Sequence, residues 1–122
     1  MTNIELFKIH KELCSTALDL MQRKNHDYAG SKGNEPFTNF TRTEAMGITT
    51  TEKAMLVRML DKMSRLSSIL ASGKQHVKDE SFEDTMVDVI NYIVLLSAYR
   101  QEKRLKVQYG DSLFNCTTRE LS

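Results

Sequence analysis

The stretch from Lys78 to Gln101 constrains the fold most, because its polar and apolar residues both recur at helical spacing. At about 100° per residue, four polar residues fall within one narrow sector of a helix: Glu80, Asp84, Asp88 and Asn91. The opposite side carries Phe82, Met86, Val89, Ile93 and Leu96. Between Glu80 and Arg100 there is no lysine or arginine, so the carboxylates repel one another unless they face water, a metal ion or a basic helix.

The composition predicts one domain over residues 1–122, with 101–122 as a candidate C-terminal arm. Seventeen basic residues balance sixteen acidic ones, and a net charge of +1 is too small to attract duplex nucleic acid or a membrane surface. Cys14 and Cys116 lie far apart without a CxxC spacing, which argues against a zinc site and a disulfide scaffold. No apolar run approaches the roughly 20 residues of a membrane span, so we expect a cytoplasmic protein.

The N-terminal half of the chain predicts a long helix followed by one long loop. The helix runs from Thr2 or Asn3 to Arg23, and its expected buried stripe consists of Leu6, Ile9, Leu13, Ala17 and Leu20. Gly30, Gly33 and Pro36 exclude regular structure from the segment KNHDYAGSKGNEPFTNF. Its aromatic residues are costly to leave in water, so we expect an ordered loop over the core. A short helical piece, TRTEAMG, ends at Gly47.

The next predicted helix, Thr51 to Ala71, has an apolar side formed by Leu56, Leu60, Met63 and Leu70. Another face of this helix groups Arg58, Asp61, Lys62 and Arg65. A break at Ser72 to Lys74 makes the basic and acidic helices an antiparallel hairpin. Their charged rows then form either a structural salt-bridge ladder or a pocket in which cations hold phosphate and carboxylates hold a metal or a sugar hydroxyl. Because no segment alternates like a strand, the predicted class is all-α, a helical bundle completed by oligomerisation.

Four segments in this order, KNHDYAG with PFTNF, RMLDKMSRL and DESFEDTMVDVINY, resemble the phage-borne family called nucleotide modification associated domain. That family is similar in outline to the MazG-like nucleotide pyrophosphohydrolases, and the resemblance covers about Leu20 to Leu96. It implies a phage-type protein that binds, and processes, a free nucleotide in the host cytoplasm. The ligand-binding residues it implies are Lys24, Asp27, Tyr28, Asn39, Phe40, Arg58, Asp61, Lys62, Arg65, Asn91 and Tyr92. Tyr28 and Phe40 are candidates for stacking on a base, with a buried anchor for the loop as the alternative.

The sequence departs from the MazG-like pattern of an ExxE pair on one helix and an ExxD pair on the next. The first pair is absent, and the second aligns on Thr85 to Asp88, with threonine where the pattern has glutamate. Magnesium would therefore be held by Glu80, Asp84 and Asp88, the predicted catalytic and metal-binding residues, with Asp61 or Asp27 as a further ligand.

Two functions remain open at this point. One is a magnesium-dependent, pyrophosphohydrolase-like enzyme, which needs metal ions to offset phosphate charge and to activate water. The other is a non-catalytic sponge that sequesters a nucleotide, such as a cyclic signal of bacterial antiviral defence. A purely structural helical adaptor would bind no small molecule.

Overall fold

Four helices make up the computed structural model, which describes residues 1–29, 35–73 and 81–110, without the side chains of 26–29. They are α1 (Asn3–Ala29), α2 (Thr38–Ala45), α3 (Thr51–Ser72) and α4 (Phe82–Tyr109). These three ranges contain no strand, and the predicted all-α class is confirmed. Part of the predicted loop, residues 30–34, lies outside the described residues, as does the candidate arm from residue 111 onward.

Polar caps and glycines set the ends of the two hairpin helices. The Thr50 hydroxyl accepts a hydrogen bond from the backbone N–H of Lys53, which caps α3, and Gly73 ends this helix in a left-handed conformation with φ 68°. At the start of α4, Ser81 and Asp84 form a capping box, in which each side chain accepts from the other residue's backbone N–H. The predicted start of α3 at Thr51 and the break after it are thus confirmed.

Two helices are longer than the sequence indicated. The predicted end of α1 at Arg23 is wrong, because the first glycine is Gly30 and nothing before it stops the helix, which continues to Ala29. The helical pattern of α4 was expected to weaken after Arg100, yet α4 continues to Tyr109 through good helix formers. The Glu102 and Lys106 side chains pair at 3.2 Å there, one turn apart.

Helix α4 lies at the centre of the packing. In the described part of the chain, α1 and α3 both pack on α4, and α2 packs on α3. Lys62 reaches Asp88, and Glu52, near the start of α3, reaches Arg100, so α3 and α4 are antiparallel as predicted. None of the described helices is both long and apolar enough to cross a membrane.

The core is small and lies between α2, α3 and α4. It is built on Met55, Ala54 and Phe40, against which Phe37, Tyr92, Leu95, Leu96 and Tyr99 pack. Two edge-to-face ring contacts, Phe37 with Tyr99 and Phe40 with Tyr92, join the start of α2 to α4. The expectation that aromatic residues of the loop fold over the core is confirmed for Phe37 and Phe40; Tyr28 is not among the described side chains.

The predicted apolar sides of the helices are only partly buried. All four apolar residues assigned to the buried side of α3 are more than half exposed, since α3 packs through Thr51, Ala54 and Met55, roughly a third of a turn away. On α4, Ile93 is exposed, whereas Asp88 on the polar side is mostly buried. Asp88 is buried because it faces the basic face of α3, as the pairing of the two charged rows predicted.

An ion-pair cluster joins the start of α3 to the C-terminal half of α4. The Glu52 carboxylate accepts from Arg100 at 2.7 Å and from Lys103 at 3.1 Å. The hydrogen bond from Lys103, followed by that from Arg100, holds the pKa of Glu52 below its ordinary value of 4.5 despite some desolvation. This cluster fixes the antiparallel register at the end of the hairpin away from Asp88.

Candidate functional site

Asp88 lies at the point where three helices meet through their charged side chains. Its Oδ2 is 2.9 Å from the Lys62 Nζ of α3, and its Oδ1 is 3.7 Å from the Lys24 Nζ of α1. The Asp88 and Lys62 side chains are only 15% and 19% exposed, whereas Lys24 is 54% exposed. Lys24 of α1 and Lys62 of α3 thus approach Asp88 of α4 from two different helices. We call the surface formed by these three residues the Asp88 groove.

Among the described residues around the Asp88 groove, cations outnumber carboxylates. One carboxylate stands between two ammonium groups, and the face of α3 that holds Lys62 also carries Arg58, Asp61 and Arg65. Arg58 and Asp61 are exposed and Arg65 is half-buried. Arg58 and Arg65 are about 10 Å apart along the helix, so both lie within reach of one bound polyanion. Neighbouring cations of this kind hold phosphate oxygens through charge-assisted hydrogen bonds.

The carboxylates of the predicted acidic row have different partners. Asp84 accepts the N–H of Ser81 at 3.2 Å and so serves the N-terminus of its own helix. Asp88 pairs with lysines one turn further on. Glu80 lies outside the described residues, which contain no group of three histidines, cysteines or acidic residues able to hold a metal ion. Magnesium at Glu80, Asp84 and Asp88 therefore stays a prediction, and the two described carboxylates already have other partners.

The aromatic candidates lie beside the charged cluster. Tyr92 is one turn after Asp88 on α4 and is half-buried, and Phe40 of α2 packs edge-to-face against it at 6.1 Å between ring centroids. Phe40 is only 8% exposed, so of the two roles left open for it the buried anchor is the better supported. Asp27 and Tyr28 lie within α1, but their side chains are outside the described ones.

The two predicted asparagines differ in their surroundings. The Asn91 side-chain amide donates to the Ala17 carbonyl oxygen at 3.0 Å, so this residue joins α4 to α1 next to the Asp88 groove. Asn39 is exposed on α2, on the helix that carries Phe40. The structure thus brings Lys24, Lys62, Asp88, Asn91 and Tyr92 together, with Arg58 and Arg65 on the adjoining face of α3.

Sequence reasoning did not anticipate the role of Thr85. Its side chain is fully buried, and its hydroxyl donates to the Ser81 carbonyl oxygen at 2.9 Å. A glutamate at this position, as in the MazG-like pattern, would be buried inside the helix packing. The pairing of Lys24 with Asp88 was also missed, since the two residues lie on helices far apart in sequence and no local pattern joins them.

The chain matches no protein-family model, and neither curated proteins nor solved structures give a match.

Proposed function

We propose that this protein binds a free nucleotide, or a similar small molecule bearing phosphate, in the Asp88 groove. The observation that carries this proposal is the convergence of Lys24 from α1 and Lys62 from α3 on one largely buried carboxylate. Among the described residues, this carboxylate lies within 4 Å of ammonium groups from two different helices. The Lys24 side chain is 54% exposed, so an anion can reach its ammonium group.

The arrangement of Asp88 favours retention of the ligand over its hydrolysis. For Asp88 to bind magnesium, the cation would have to displace the Lys62 ammonium at 2.9 Å and overcome repulsion from Lys24. Asp84 would have to leave the capping box. A sponge needs cations and a polar floor, both of which the described residues supply. The magnesium-dependent hydrolase is the alternative, and it requires both carboxylates to change partners.

The resemblance to the phage nucleotide modification associated domain supports the choice of a nucleotide among phosphate-bearing ligands. On the same basis we propose that the protein acts in the host cytoplasm as a homo-oligomer. The small core and the exposed apolar residues of α1 and α3 support the oligomer.

The proposal is tested by replacing one exposed cation of the groove. Arg58→Ala should weaken nucleotide binding by about tenfold or more, the scale of one charge-assisted hydrogen bond of roughly 1.5 kcal/mol, and should leave the fold intact. Isothermal titration calorimetry with a panel of nucleoside mono-, di- and triphosphates and cyclic nucleotides measures the affinity, and circular dichroism checks the fold.

Arg104→Ala is the matched control, because Arg104 is also an exposed arginine but lies on the side of α4 away from Asp88. The control should bind like the wild-type protein. If Arg58→Ala and Arg104→Ala bind every nucleotide with equal affinity, the groove is not the binding site.

A further inference from the structure

Asp88 places a negative charge beside the two ammonium groups that would hold the ligand's phosphate. Its carboxylate pairs with Lys62 at 2.9 Å and lies 3.7 Å from Lys24. A carboxylate this close to both lysines competes with a second anion for them and also repels it. Asp88 therefore lowers the affinity of the groove for any ligand that offers only negative charge.

The Asp88 carboxylate is able to accept a further hydrogen bond. Its side chain is 15% exposed, so a ligand can approach it. Lys62 is within hydrogen-bond distance of Oδ2, whereas Lys24 at 3.7 Å from Oδ1 is beyond it. An ionised carboxylate offers about four lone-pair sites. A ligand that brings a hydroxyl or N–H group to Oδ1 can therefore donate a hydrogen bond to it.

The distance between the two anions decides which ligand group reaches Asp88. The N–H bonds of one ammonium group diverge at the tetrahedral angle, so a phosphate oxygen that shares Lys24 or Lys62 with Asp88 lies about 5 Å from the Asp88 oxygen. In a nucleoside phosphate the sugar carries the phosphate, and its hydroxyls are the donors nearest to that group. The base lies on the far side of the sugar. A sugar hydroxyl is thus the donor that fits at this range.

We propose that Asp88 determines the specificity of the Asp88 groove, which selects a phosphate ester with a free sugar hydroxyl over inorganic phosphate. Lys24 and Lys62 hold the phosphate, and the hydroxyl donates to Oδ1 of Asp88. A ligand without the hydroxyl meets the repulsion of Asp88 with no compensating hydrogen bond, and is rejected. This inference rests on the proposed function, because it assumes that phosphate binds at these lysines.

The wild-type protein tests the preference by itself. Isothermal titration calorimetry measures its affinity for inorganic phosphate, for the four ribonucleoside 5′-monophosphates and for their 2′,3′-dideoxy analogues. At least one ribonucleotide should bind about tenfold or more tightly than its analogue and than phosphate, the scale of a hydrogen bond to a charged group. If every analogue binds within about threefold of its ribonucleotide, the inference is wrong although the nucleotide site stands.

Asp88→Asn tests whether the carboxylate causes the preference. Loss of the charge should tighten the binding of inorganic phosphate about tenfold, and should reduce the advantage of the ribonucleotide over its analogue to about threefold or less. Asp19→Asn is the matched control, because Asp19 is exposed and lies about 140° around α1 from Lys24. The control should keep the wild-type affinities.

A carboxylate that only joins helices gives a different result. Asp88→Asn would then lower the Tm, but it would bind phosphate no more tightly than the wild type and would keep the full ratio between ribonucleotide and analogue, which would overturn the inference. The wild-type comparison decides the question if this variant fails to fold. A wild-type protein that binds neither phosphate nor any nucleotide would refute the proposed function as well.

Discussion

Replacing Asp88 with asparagine keeps the shape of the side chain and removes the charge that Lys62 and Lys24 share. The Lys62 pair at 2.9 Å is mostly buried and should contribute about 1.5–3 kcal/mol, as hydrogen bonds between charged groups do. The Lys24 pair at 3.7 Å includes a half-exposed lysine and should add less than about 1 kcal/mol. We expect Asp88→Asn to lower the free energy of unfolding by about 2–3 kcal/mol.

At about 2.1 cal/mol/K of unfolding entropy per residue, this loss lowers the Tm by roughly 8–12 °C. Differential scanning calorimetry at one fixed protein concentration measures the change, since the Tm of an oligomer depends on concentration. Asp61→Asn is the control, because Asp61 is an exposed aspartate on the α3 face that carries Lys62, and its Tm should fall by no more than about 2 °C.

The double variant Asp88→Asn with Lys62→Met separates the ion pair from other effects of each change. If the pair is real, the double variant should lose less stability than the two single variants together. An Asp88→Asn protein that melts within about 2 °C of the wild type would show that the buried pair does not hold the three helices, and the reasoning about the groove would fail.

Three further predictions concern Thr85, Glu52 and Phe40. Thr85→Glu should lower the Tm, because it buries a charge at a fully enclosed position, and magnesium should not raise the Tm of this variant. A variant that magnesium stabilises would contradict this. The contribution of Glu52 to the free energy of unfolding should be fully present above pH 4.5 and should be lost as pH falls through the lowered pKa of Glu52 in the folded protein. Glu52→Gln should therefore make the free energy of unfolding depend less on pH in the acid range. An unchanged profile would show that the Arg100 and Lys103 pairs contribute nothing. Phe40→Leu should lower the Tm and leave nucleotide affinity unchanged in calorimetry, whereas a loss of affinity with an intact Tm would assign the ring to base stacking.

The helices and their caps followed from local chemistry that the sequence displays. Thr50, Gly73 and the helical spacing of the hairpin determine structure within one or two turns, and each was predictable. The pairing of a basic with an acidic row was likewise expected, and the Lys62–Asp88 contact bears it out. The contribution of Lys24 was not predictable as a contact, because it depends on how α1 crosses α4.

Burial was the property that the sequence predicted least well. Leu60 and Leu70 have the residue type and spacing of a buried stripe, but both are exposed because the residues through which α3 packs lie on another face of the helix. A hydrophobic pattern marks surface that some neighbour covers, and it does not say whether that neighbour belongs to the same chain.

The central claim, that the Asp88 groove holds a nucleotide, is tested most directly by recovering the ligand after binding. Purified protein is incubated with a panel of linear and cyclic nucleotides, with and without magnesium, washed and denatured, and the released molecules are analysed by chromatography and mass spectrometry. We predict that at least one nucleotide is retained and released chemically intact, that magnesium makes no difference, and that Arg58→Ala retains less of it. Release of a hydrolysed product only when magnesium is present would establish the enzyme instead, and retention of no nucleotide under either condition would contradict the claim.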